Sequence, residues 1–330
     1  PVVLSSKEGL ILLSGTTSVT AFASLAIYDA QTLSLTADIA GSFTLEVLKG
    51  TLMAMDERLM AVRPHPDQIN TAANIRAILK DSPMLERCRG HRVQDALSIR
   101  CMPQLHGPVK KAVKDAQATL AIELNSSVDN PLIFDEEDGG AVALMGCNAD
   151  GTYAGMASDN LCIAITDLCK MSNSRIDRLL NSLVSELPAF LNKNADFNNG
   201  LMMIQYASAG LQGELRILAH PAVVDNLTTC ANQEDYVNMG YNAAKKAYDS
   251  MHLAKYILAA ELICDGQALD CYEDKRCAKG TQAIYDLLRS KVPEMDNDMP
   301  LTPYLEAVAQ QIIDRAYIRT VEASVGALKF

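Results

Sequence analysis

Alanine, leucine and valine recur at intervals of three and four residues along most of the chain, a spacing that predicts helices rather than strands. Residues 16–53 carry only Asp29 and Asp38 as charges before Glu46, so a helix here is apolar on most sides and belongs among other helices. In residues 106–125, Val109, Val113, Ala116, Leu120 and Ile122 form an apolar stripe, with Lys110, Lys111, Lys114 and Asp115 largely on another face. Gly107-Pro108 marks the start of that helix. Residues 153–183 place Ala154, Ala157, Leu161, Ile165, Leu168 and Met171 on one side, then turn charged at Arg175, Asp177 and Arg178, which read as a solvated face or ion pairs. Further helices are predicted over 200–218, 242–269 and, after the polar stretch 293–303, over 304–325. The one strand signal is 132–134 with 141–144, flanking a hairpin turn at Glu136-Glu137-Asp138-Gly139-Gly140. The fold class is all-α, an elongated bundle of long, mostly antiparallel helices with a minor β-hairpin, continuous over 1–330 without repeats or low-complexity tracts. A helical oligomerisation scaffold would show the same periodicity.

Composition narrows the partners. The net charge of -11 and pI near 5.0 provide no basic field for nucleic acid or an anionic membrane, and favour a small-molecule substrate. No apolar run reaches the roughly eighteen residues of a membrane span, and the first residues lack a signal-peptide pattern, so a cytoplasmic protein is expected. Nine cysteines without paired CxxC spacing indicate neither a disulfide framework nor a zinc site, and read mostly as small buried residues. The five histidines show no HxxxH or HExxH spacing, so no metal is expected. GxSxG, GxGxxG and Walker loops are absent from the sequence.

Candidate chemistry lies in three polar clusters between helices. The first runs from Arg92 to Gln104 and includes Gln94 and Arg100. A guanidinium there could grip the carboxylate of a free amino acid in two-pronged fashion, although arginine is ordinarily a surface or ion-pair residue. The second, Asn125-Ser126-Ser127-Val128-Asp129-Asn130-Pro131, reads first as a turn. The third, Asn232-Gln233-Glu234-Asp235, reads as a helix-capping segment, or alternatively brings Glu234 into a cavity as acceptor or base, which needs burial to raise its pKa.

These clusters, in this order, resemble the aromatic amino-acid ammonia-lyase family of the histidine ammonia-lyase type. The matching segments are Lys7-Glu8-Gly9-Leu10, Leu12-Leu13-Ser14-Gly15-Thr16, His65-Pro66-Asp67-Gln68, Ser98-Ile99-Arg100-Cys101-Met102-Pro103-Gln104, the second cluster, Leu187-Pro188-Ala189-Phe190-Leu191, and the stretch Ala231 to Gly240. The resemblance implies that Arg100 holds the substrate carboxylate, that Gln94, Asn130, Gln233 and Ser14 line the site, and that Glu234 faces the substrate's amine or ring. Glutamate rather than glutamine at 234 is the histidine-branch feature, an acceptor for an imidazole N–H. The resemblance also implies a homotetramer and a methylidene-imidazolone group made from Ala-Ser-Gly, with a tyrosine base from the N-terminal part. This chain contains no Ala-Ser-Gly and reads as the C-terminal portion of such a protein, inactive alone and completed by an N-terminal part or a separate chain.

Three positions depart from the family around that group: Ser14 replaces asparagine, Leu97 replaces tyrosine, and Ala149 replaces phenylalanine after Gly146-Cys147-Asn148. They leave three readings open. The first is a lyase eliminating ammonia from histidine or a related aromatic amino acid. The second is a lyase without the prosthetic group, acting on a betaine-like histidine derivative whose quaternary amine leaves unaided. The third is an inactive ligand-binding or scaffold paralogue.

Overall fold

The computed structural model describes residues 1–194 and 197–330, and among these the chain is all-α with one hairpin, as the pattern predicts. The helices are α1 (Glu8–Leu13), α2 (Thr17–Val47), α3 (Glu57–Ala61), α4 (Pro66–Ile78), α5 (Pro83–Arg87), α6 (Leu97–Arg100) and α7 (Met102–Glu123). The strands β1 (Leu132–Asp135) and β2 (Ala141–Leu144) follow, then α8 (Thr152–Leu180), α9 (Ser182–Ser185), α10 (Met202–Leu218), α11 (Gly240–Asp270), α12 (Lys279–Arg289), α13 (Thr302–Ile313) and α14 (Ala316–Val325). The hairpin is antiparallel with Leu132 opposite Leu144, and Glu136 N–H donates to Gly140 O at 2.9 Å to close its turn.

Two elements differ from expectation. Helix α7 begins at Met102, so Pro103 sits in its first turn and Pro108 lies in its interior. Gly107 explains why the helix passes through this point: a Cβ there would stand 2.7 Å from Gln68 N, so α7 lies against the backbone of α4 at a position that only glycine fits. The single helix predicted over 304–325 is two, α13 and α14, separated where Arg315 takes φ +58°.

Contacts divide the chain into two units, residues 1–28, 112–163 and 218–250, and residues 29–111, 164–217 and 251–330. In the first, Phe22 packs edge-on against Tyr241 and Tyr248 at 5.6 and 5.5 Å, and Ala23, Val113, Leu161 and Ala247 are buried. Asp159 on α8 accepts the N–H groups of Ala222 and Val223 at 2.7 and 2.9 Å and pairs with Lys246 at 2.9 Å, fixing the segment that precedes α11.

The second unit buries ions as well as hydrocarbon. Lys110, expected on the polar face of α7, is wholly buried and reaches Asp38 of α2 at 2.6 Å, while His106 Nδ1 lies 2.8 Å from the other Asp38 oxygen. Asn74 of α4 donates to Asp38 at 2.8 Å. Arg175, expected as a solvated or ion-paired residue at the end of α8, is an ion pair and entirely buried, gripping Glu261 of α11. Three of the nine cysteines are fully buried and Cys147 and Cys230 are exposed, so the expectation of mostly buried thiols holds only in part; none of the nine forms a disulfide. Among the described residues no helix is long and apolar enough to cross a membrane.

Candidate functional site

The first polar cluster belongs to the second unit, where α6 is a single turn that sets Arg100 at its last position, half-buried. Arg100 Nη1 donates to Gln94 Oε1 at 2.8 Å, its Nε is buried without a partner, and the guanidinium makes no ion pair within 4 Å among the described residues. One turn into α7, Gln104 Oε1 is also buried and unpartnered. A guanidinium hydrogen-bonded only to a neutral amide keeps its remaining N–H donors for an incoming carboxylate. Beneath this cluster sits Asp95, which the sequence did not single out. Its Oδ2 accepts Thr51 N–H at 2.7 Å, and burial pushes its carboxyl up against the opposing pull of Arg92, Arg178 and Arg100. Buried and bonded to backbone, Asp95 fixes the loop that carries Gln94; its only sequence signal is its place inside a polar run.

The remaining predicted residues lie in the first unit. Ser14 ends α1 in extended conformation, and its N–H donates to Leu10 O at 2.7 Å. Asn130 Oδ1 accepts Gly146 N–H at 2.9 Å, tying the second cluster to the segment after β2. The preceding Asp129 pairs with Lys7, so the Lys7-Glu8 motif and the second cluster meet in the fold. Gln233 and Glu234 stand on an exposed loop whose residues Cys230, Ala231 and Asn232 all take positive φ, from 48° to 71°. The loop is closed by Thr229 N–H donating to Glu234 O at 2.9 Å, and the Thr229 hydroxyl donates to the Glu234 carboxylate. The capping role expected of this segment falls instead to Asn238, whose Oδ1 accepts Gly240 N–H at 3.1 Å at the start of α11.

Glu234 is therefore placed differently from the buried base considered above. Its side chain is exposed, and the Thr229 hydroxyl, followed by the Cys230 thiol, holds its carboxyl below the usual range. A carboxylate so held accepts a hydrogen bond well and takes a proton poorly. Of the six predicted residues, Arg100 and Gln94 are brought together in the second unit. Ser14, Asn130, Gln233 and Glu234 belong to the first.

Positions 14, 97 and 149 present a hydroxyl, an exposed isobutyl group and a half-buried methyl. The resemblance leads instead to an amide, a phenol and an aromatic ring at these three positions.

The chain matches the model described as "Aromatic amino acid lyase" over residues 1–290. It is 40% identical over 325 residues to a histidine ammonia-lyase of Alkaliphilus oremlandii, covering 98% of this chain and 64% of that protein. A crystal structure of histidine ammonia-lyase from Trypanosoma cruzi superposes with a TM-score of 0.89 at 34% identity, covering 98% of this chain and 61% of that one. Tyrosine aminomutase from Streptomyces globisporus superposes at 0.91 with 29% identity, covering 100% and 66% respectively. The chain thus spans 64% of the length of the curated relative named here.

Proposed function

The chain belongs to the aromatic amino acid lyase family, and from that premise we propose that it supplies the carboxylate clamp and the ring acceptor of a carbon–nitrogen lyase acting on histidine or a related aromatic amino acid. The observation that carries this reading is Arg100, a half-buried guanidinium bonded to the neutral Gln94 amide and free of any ion pair within 4 Å among the described residues. A two-pronged Arg–carboxylate pair fixes the Cα of an amino acid, so that its amine and β-hydrogen take one orientation. Gln94 acts as a positioning residue that holds one prong. Glu234, kept ionised, accepts an imidazole N–H and orients a histidine ring. A homotetramer is consistent with the exposed apolar side chains along α8 and α10, among them Tyr153, Met156, Met203 and Tyr206.

The test is elimination from histidine by the protein, followed by urocanate absorbance. Arg100→Lys keeps the charge and loses the fork, and Arg100→Ala loses both. Because a charge-assisted hydrogen bond contributes about 1.5–3 kcal/mol, Arg100→Ala is expected to raise KM roughly ten- to a hundredfold without lowering the melting temperature. An unchanged KM in Arg100→Ala overturns the clamp.

The substitutions at positions 14, 97 and 149 favour a second reading: a lyase without the prosthetic group acting on a betaine-like histidine derivative. A quaternary amine departs as a neutral trialkylamine when the Cα–N bond breaks and the β-proton is lost. Incubation with histidine betaine distinguishes the two. Trimethylamine release with no ammonia from histidine selects the second reading, and the reverse pattern selects the first.

A further inference from the structure

Residues 49–53 and residues between 79 and 92 line an open bowl of about 720 Å³ in the second unit, next to Asp95 but not including Gln94 or Arg100. Three of its basic side chains converge on one carboxylate, Glu186. Lys49 Nζ lies 3.0 Å from Oε2, and His91 Nε2 and Arg92 Nη2 lie 2.9 and 3.3 Å from Oε1. Lys49 and Arg92 alone bring two positive charges to a single negative one. Arg92 also donates to Leu48 O at 2.8 Å, and Asp95 stands 3.9 Å away with its other oxygen committed to Thr51 N–H. Of the bowl's own acids, Glu86 pairs with Arg89 at 2.5 Å and Asp81 is exposed.

Lys49 occupies a costly position. It follows α2 with φ +56°, where its N–H donates to Glu46 O and Gly50 N–H donates to Leu45 O, both at 2.9 Å. This is the left-handed residue of a helix C-cap, ordinarily glycine, and a side chain there is unfavourable. The cost places an ammonium at the bowl, 5.8 Å from the Tyr272 ring.

We propose that the bowl binds a small phosphate dianion, free or as the end of a metabolite, with Lys49, His91 and Arg92 as its ligands and Glu186 as a tethered competitor. A monoanion offers nothing that the tethered carboxylate does not already supply at high local concentration. A dianion matches both cations and provides the acceptor oxygens that a guanidinium fork and an ammonium share.

The test is calorimetric titration of the whole protein with inorganic phosphate and with glycerol 3-phosphate at constant ionic strength. Wild type is expected to bind saturably. Lys49→Gly should weaken binding at least about tenfold, the loss of one charge-assisted hydrogen bond, with no fall in melting temperature, because glycine suits the left-handed backbone. Glu186→Gln should tighten binding several-fold by removing the competing charge. Tighter binding of the ester identifies a metabolite as the source, and equal binding identifies free phosphate. Absence of saturable binding in both wild type and Glu186→Gln, or unchanged affinity in Lys49→Gly, overturns the proposal.

Discussion

A carboxylate taken out of water must find a cation or keep its proton, and the second unit contains both outcomes within its core. Burial pushes Asp38 up, yet Lys110 and His106 together outweigh it and hold the carboxyl below its ordinary value. Burial lowers His106, whose Nδ1 lies 2.8 Å from Asp38 Oδ1. Among the described residues Asp265 has no such ion-pair partner: burial first, and the Glu261 carboxylate second, hold its pKa well above the usual range, with the Thr44 hydroxyl at 2.7 Å. Its folded pKa therefore exceeds the unfolded value of about 4. The stability it contributes is fully present below that unfolded value and is lost as pH rises through the folded one. Asp265→Asn cannot titrate, so the variant is expected to gain stability relative to wild type steadily as pH rises above about 4. Urea denaturation of both proteins across that range measures this, and a difference that stays constant with pH sinks the assignment.

The long helices were legible because their periodicity is local; their ends and neighbours were not. Apolar spacing reports which side of a helix avoids water, but Lys110 and Arg175 face other helices, where an ion pair replaces solvent. Pro108 is a helix-starting residue by its chemistry and an interior one in the fold, since only packing against α4 determines how far α7 extends. The break at Arg315 carries no glycine or proline to announce it. Helix α4 is approached closely at its other end by Gly280 of α12, where an added Cβ would stand 2.5 Å from Ile78 O and 3.0 Å from Ile78 Cα. Backbone cannot yield as a flexible side chain does, so Gly280→Ala must push α12 off α4. Overpacking of this kind costs about 1–3 kcal/mol. Chemical denaturation should show that loss, and Gly210→Ala, with nothing near its added Cβ, should show none.

At the level of the whole molecule, the motifs were legible because each is a run of consecutive residues, whereas their distribution was not. The boundaries between the two units fall inside α2, α7, α8 and α11 and at the last residue of α10, so helical periodicity runs on across them. Nothing local therefore announces that residues 92–104 belong to one unit and residues 125–131 and 231–240 to the other. The same periodicity explains what remains uncovered. Tyr153, Met156 and Ile163 on α8 are 75%, 60% and 47% exposed, and their spacing puts them on one face of the helix. Single exposed apolar residues are ordinary, but a stripe of large ones along a helix marks a surface that another chain covers. Self-association through this face predicts a solution mass that is a multiple of 35.7 kDa. A charge at its centre must be desolvated in the assembly and stays hydrated in the free chain, so Met156→Glu is expected to shift light-scattering mass towards a smaller species while helical content is retained. A wild-type mass of one chain, or a Met156→Glu mass equal to wild type, removes α8 as the contact.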